Sequence, residues 1–148
     1  MSIETNKELV QHFFHETYNE CNFNAAKRML SQDYFLHDST IPDFSGGPET
    51  WEQMQNIFCR AFPDLRLTIE DMITEGDKVV VRWMLCGTQT GDLPGIPATG
   101  KHMLITGITI SRIMNGKIDE QWREWDRFSI LQQLGVSSEF IFTPEQIF

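Results

Sequence analysis

The densest run of reactive side chains in this sequence is Trp122-Arg123-Glu124-Trp125-Asp126. In an extended chain, alternation places Trp122, Glu124 and Asp126 on one face and Arg123 and Trp125 on the other. If the first face turns inward, an indole wall stands beside a carboxylate. Burial would then raise that carboxyl toward the working range of a general acid and base. The competing reading makes Asp126 a strand-end cap for the next helix, or a partner of Arg123 or Arg127. Arg82 stands in the apolar run Val79-Val80-Val81-Arg82-Trp83-Met84-Leu85. Facing inward, it needs a buried partner such as Glu124 or Asp126 and would orient a ligand; facing outward, it is a surface cation.

Other reactive groups carry less. His12 and His15 lie on one predicted helix without an acidic or cysteine partner placed by the sequence, so no metal site is expected. Gly95-x-x-x-x-Gly100-Lys101-His102 approaches a phosphate-binding loop, but the last position is His102. The β-branched run that follows also denies phosphate the helix N-terminus it needs. His102 instead opens a strand, within reach of a pocket mouth. Cys21, Cys59 and Cys86 are widely spaced and odd in number, which predicts free, buried thiols in a reducing compartment.

The elements that position these groups follow from periodicity. Leu9, Val10, Phe13, Phe14 and Tyr18 predict a helix over about residues 6–20, and Asn24 suits the cap of a short second helix. Tyr34 to His37 reads as extended. Pro48 opens a helix whose stripe is Trp51, Met54, Phe58 and Phe62, ended by Pro63. This stripe is core in one reading and the roof of a pocket in the other. Beyond Pro63 the period becomes two: strands are expected over about 65–70, 78–88, 101–114 and 117–128. Glu75-Gly76-Asp77 and Asn115-Gly116 form the turns. The glycine- and proline-rich stretch 89–100 reads as a mobile loop. A short helix ends at Gly135, and the tail 136–148 carries enough apolar residues to require a partner surface.

Helices first and strands afterwards make an α+β domain, with the helices laid over a curved antiparallel sheet around a concave pocket. One domain spans residues 1–148, with 136–148 as a C-terminal extension. The chain has 21 acidic and 12 basic residues, a formal charge of −9, so nucleic acid and anionic membrane surfaces are excluded as partners. The N-terminus lacks a signal-peptide pattern and no apolar run approaches the roughly 18 residues of a membrane span. A cytoplasmic protein is expected.

Several landmarks together resemble the SnoaL-like polyketide cyclases of the NTF2-like superfamily. They are Ala61-Phe62-Pro63-Asp64-Leu65, Asp77-Lys78-Val79-Val80-Val81-Arg82-Trp83, Gly87-Thr88, Pro97-Ala98-Thr99-Gly100-Lys101, Gly116-Lys117-Ile118, Trp122 with Asp126, and Leu131-Gln132-Gln133-Leu134-Gly135. The resemblance implies a cone-shaped fold and ring closure by intramolecular aldol chemistry without metal or cofactor. Asp126 matches the family's general acid and base, and His37 matches a pocket-rim histidine that can hydrogen-bond an enolate oxygen. Trp122, Glu124, Arg82, Trp51, Phe58, Phe62 and His102 become candidate substrate contacts. The implied ligand is a small apolar carbonyl compound, polyketide- or ester-like, and the implied assembly is a homodimer. Two other functions fit such a pocket: hydration, dehydration or epoxide opening, and ligand binding without catalysis. Epoxide hydrolases of this fold carry an aspartate two positions beyond a strand arginine; here that position is Met84.

Overall fold

A computed structural model describes residues 3–41, 44 and 47–136. The tail from residue 137 onward, with its expected packing role, lies outside them. Helix α1 (Ile3–Phe14) buries Val10, Phe13 and Phe14 and runs into a π-helical turn, His15–Asn19. Helix α2 (Phe23–Lys27) is capped by Asn22, not Asn24: the Asn22 side chain accepts from the Ala25 amide at 3.3 Å. Strand β1 (Leu30–Asp38) is longer than its sequence suggested, and α3 (Gly47–Ala61) has Pro48 in its first turn. Strands β2 (Arg66–Glu75), β3 (Lys78–Thr88), β4 (His102–Met114) and β5 (Lys117–Trp125) follow, then the short helix α4 (Arg127–Gln133).

These strands form one sheet in the order β1-β5-β4-β3-β2. The expected all-antiparallel sheet is corrected to a mixed one, because β1 runs parallel to β5. Parallel neighbours need a long crossover, and here α3 and three strands intervene between the pair. The helices lie on one face of the sheet. That face buries Val79, Val81, Trp83 and Leu85 of β3 and Met103, Ile105 and Ile113 of β4. On the opposite face Leu104, Ile108 and Met114 stay exposed.

Two irregularities shape the concave face. Between β4 and β5 the register passes from Arg112↔Glu120 to Ile113↔Ile118, so Asp119 is an extra residue in β5. Arg112 clamps this bulge, pairing with Asp119 at 2.9 Å and Glu120 at 2.8 Å. An extra residue reverses the alternation beyond it. At Gly107 the indole of Trp83 lies directly over the β4 backbone, where a Cβ would fall 2.2 Å from the ring. The indole is held there by its N–H, which donates to Thr109 Oγ1 at 2.9 Å.

The segment expected to be a mobile loop is tied down by Gln89, which is fully buried. Its amide donates to the Ile96 carbonyl and accepts from the Thr99 amide and hydroxyl. Where β5 stops, α4 covers the exposed edge of β4: Gln133 exchanges two hydrogen bonds with the Leu104 backbone, at 2.7 and 2.8 Å. That pairing blunts a strand edge that would otherwise recruit another chain.

Gly107→Ala has no room for its methyl group unless Trp83 leaves its seat. The expected loss is about 1–3 kcal/mol of stability, read from the urea unfolding midpoint, with a shift in Trp fluorescence of the native protein.

Candidate active site

A cavity of about 300 Å³ lies between α3 and the concave face of the sheet. Most of its wall is apolar: Met54, Ile57 and Phe58 from α3, and Trp83, Leu85, Ile105 and Trp125 from the sheet. The polar lining is small and specific, consisting of Tyr18, Thr40, Gln55, Arg123 and Arg127. Among the described lining residues there is no aspartate or glutamate.

Tyr18 is delivered by the π-helical turn. Its neighbour Asn19 pins that turn to β2, accepting from the Leu67 amide at 2.7 Å and donating to the Leu67 carbonyl at 3.2 Å. Single π turns inside helices re-aim side chains in this way, often at functional sites. Gln55 sits on the inner side of α3, only 5% exposed. The Tyr18 hydroxyl and the Gln55 amide have no hydrogen-bond partner among the described residues, so their donors and acceptors are available to a guest in the cavity.

Beneath this wall lies Asp38, whose side chain is 1% exposed. It is the last residue of β1, and Asp38-Ser39-Thr40 closes an Asx turn. One oxygen accepts from the Thr40 amide at 2.8 Å and the Thr40 hydroxyl at 2.7 Å. The other accepts from Arg123 Nε at 2.8 Å and Trp125 Nε1 at 2.9 Å. Burial alone would push this carboxyl up. The charge of Arg123 and the bonds from Thr40 and Arg123 outweigh burial, and hold it below the ordinary carboxylate range. Burial likewise acts to lower the Arg123 pKa, but Tyr18 and Asp38 more than compensate, and the guanidinium stays charged. Only its Nε is engaged by Asp38. Its two terminal nitrogens have no partner among the described residues, and the side chain lines the cavity.

The bulge in β5 explains where the sequence-predicted residues fall. With Ile118 inward and Asp119 extra, Gln121, Arg123 and Trp125 point into the cone, and Trp122 and Glu124 point out. Trp122 stacks on His37 on the outer face, ring centroids 5.1 Å apart and 6° from parallel, and His37 pairs there with Glu120. The expected placement of Trp122, Glu124 and His37 at the pocket is therefore corrected. So is that of Arg82, which is exposed on the outer face of β3. Asp126 is also exposed, and its carboxylate accepts from the Ser129 amide at 2.9 Å as the cap of α4. It does not meet the requirement of a dry carboxylate beside an indole.

Of the aromatic stripe, Phe58 lines the cavity. Trp51 is core, packed on Phe13 at 5.4 Å and Phe23 at 6.0 Å. Phe62 is fully buried behind Phe58, 5.0 Å away. His102 is exposed and shares a hydrogen bond with the Thr88 hydroxyl at 2.9 Å. His12 and His15 pair separately, with Glu16 and Glu20. The expectation of three free thiols is also corrected. A left-handed turn at Cys21 (φ 49°) brings it to the last turn of α3, where it is disulfide-bonded to Cys59. Cys86 alone is free.

Residues 8–134 match the family model of SnoaL-like polyketide cyclases. The chain belongs to that family. Among solved structures it is similar to TsrD from Streptomyces laurentii, at 29% identity over 93% of this chain and 99% of that one, with a TM-score of 0.82. A candidate polyketide cyclase from Acidithiobacillus ferrooxidans is 29% identical over 90% of this chain and 97% of that one, at a TM-score of 0.79. IdmH from Streptomyces antibioticus, also a candidate polyketide cyclase, is 27% identical over 88% and 99%, at 0.75. No curated protein matches. The mixed sheet under helices is thus the NTF2-like cone of this SnoaL-like protein, and no helix among its described residues is long and apolar enough to cross a membrane.

The site's electrostatics carry a pH signature. A carboxyl held below its unfolded value stabilises the fold fully at neutral pH, and that contribution is lost as pH falls through the native value. The wild-type urea midpoint should drop steeply on acidification below about pH 4. Asp38→Asn should lose about 3 kcal/mol at pH 7 by stranding Arg123, and should show a flatter acid limb. An acid limb unchanged by the substitution would remove Asp38 from this role.

Proposed function

We propose that this SnoaL-like protein binds an apolar, carbonyl-bearing molecule in the cavity and promotes its enolisation, the first half of an aldol-type ring closure. The observation that carries the reading is a largely apolar wall with unused donors: the Arg123 terminal nitrogens, the Tyr18 hydroxyl and the Gln55 amide, set among Phe58, Trp83 and Trp125. A carbonyl oxygen accepts from such groups, and the negative charge it gains on enolisation is worth most where water is excluded. Arg123 stabilises that charge and Tyr18 donates to the same oxygen. Asp38 is a positioning residue. All four of its acceptor sites are filled, so it orients Arg123 and does not take the substrate's proton. The described lining supplies no carboxylate base, so the proton on a carbon flanked by two carbonyls leaves to hydroxide from solvent, forming water, as the enolate is held, and water reprotonates the alkoxide after ring closure, regenerating hydroxide. Pocket shape then folds the flexible chain for attack on its second carbonyl. The role of pocket acid and base is thus moved off Asp126.

The absence of an acidic side chain among the described lining residues favours one second reading, a binding module without turnover. Deuterium exchange at the carbon between the two carbonyls of ethyl benzoylacetate in heavy water, followed by NMR, separates the two. The enzyme reading expects exchange above the buffer rate, reduced about a hundredfold in Tyr18→Phe. Binding of the keto ester with no gain in exchange leaves the binding module. No binding at all rejects the cavity as the site.

We also propose that two copies pair through the outer face of the sheet. Register aligns Arg82, Ile108 and Glu124 in one cross-strand row, with exposed Ile108 between two charges of opposite sign. A two-fold axis along β4 sets each Arg82 opposite the other copy's Glu124, whereas an axis across the strands sets like charges together. Arg82→Glu should give a monomer by light scattering, and Arg82→Glu with Glu124→Arg should restore the dimer. A wild-type monomer at high concentration would end this proposal.

A further inference from the structure

The charge of the cavity is opposite to that of the chain. The protein carries −9 overall, yet its described pocket lining holds two guanidiniums, Arg123 and Arg127, and no acid. Asp38 offsets one of them from beneath. Arg127, the first residue of α4, has no ion pair among the described residues. Its neighbour Asp126, the obvious counter-ion in the sequence, is turned to the Ser129 amide at 2.9 Å. An uncompensated cation therefore stands at the exposed rim. Deeper in, buried Tyr18 and Gln55 offer neutral donors without partners. The arrangement is graded, with charge at the mouth and neutral or offset donors within.

We infer that the ligand is a carbonyl compound bearing a free carboxylate rather than an ester, its carboxylate paired with Arg127 at the rim and its carbonyl oxygen placed toward Arg123. This rests on the reading of the cavity as a carbonyl site and adds the charge of what enters it. A carboxylate at the rim keeps part of its hydration and so avoids most of the penalty of full burial. A guanidinium is also the side chain best shaped to receive it, through two parallel hydrogen bonds. The apolar length between the two polar ends lies against Met54, Phe58 and Trp125. An ester in the same pose forfeits the rim contact and leaves the cation unpaired.

The probe pair is γ-(naphthoyl)butyrate and its methyl ester, an aryl ketone with and without a free carboxylate, titrated by fluorescence against the full chain. The acid should bind at least about tenfold more tightly than the ester at low salt, and the gap should narrow as salt rises. Arg127→Gln should abolish the preference, bringing the acid to the affinity of the ester in the same variant, and Arg127→Lys should keep part of it. Tyr18→Phe should weaken both ligands together. Equal affinity of acid and ester in the wild type overturns the inference and leaves the carbonyl site standing. So does a preference that survives in Arg127→Gln. Failure of both ligands to bind overturns the carbonyl reading itself.

Discussion

The buried pair of Asp38 and Arg123 is the constraint around which this cone is arranged. Each charge has left water, and each is tolerable only because the other is in place. Asp38 stands at the end of β1 and Arg123 near the end of β5, the two strands that run parallel. The ion pair therefore locks the one pairing in the sheet that no hairpin enforces. Trp125 joins the same carboxylate through its indole N–H, so the last turn of β5 cannot rotate without breaking two bonds. Satisfying Asp38 engages only the Nε of Arg123, a side chain that also lines the cavity.

The remainder of the pocket is made by omission as much as by contact. Gly107 provides the gap that lets Trp83 lie flat on the sheet, and the flat indole is a wall rather than a plug. Trp51 and Phe62 fill the space behind α3, one at each end of the helix, so that Met54, Gln55 and Phe58 are held over the sheet at a distance. The disulfide between Cys21 and Cys59 fastens the π-helical turn to the same helix. Tyr18 and Gln55 thus come from two elements that are covalently tied, which limits the reorganisation of their donors in the proposed binding of a ligand.

Much of the architecture was legible in the sequence, and the site was legible only in part. Period-two alternation located β3 and β4 to within a residue, because Val79, Val81, Trp83 and Leu85 are all core. The change from helical to alternating period at Pro63 divided the chain correctly. β5 was placed, but its faces were exchanged. Trp122-Arg123-Glu124-Trp125 carries an aromatic and a charge on each face, so its composition does not choose between them. The phase is set upstream by buried Ile118 and then reversed by the extra Asp119, and a bulge has no sequence signature that alternation alone detects. The reversal put Trp122 and Glu124 on the outer face, where they meet the side of β1 that carries His37 between buried Leu36 and Asp38. Asp38 was overlooked because its value comes from partners 85 and 87 residues away. The Asx-turn pattern Asp38-Ser39-Thr40 was its only local trace. The resemblance to polyketide cyclases named the family correctly, but it was carried chiefly by turn, strand and helix-end residues that fix the cone.

Family membership narrows the chemistry without completing it, since one fold hosts many reactions. What the cavity adds is a separation of tasks between two carboxylates. Asp126 is open to water, and its carboxylate is engaged in capping α4. Asp38 is buried, but its lone pairs are spent on four donors. Under the proposed reading, such a pocket stabilises negative charge better than it generates it, and suits guests whose own carbonyl groups already acidify the bond to be broken. That property belongs to poly-carbonyl chains, and the proposal therefore rests on the guanidinium rather than on either aspartate.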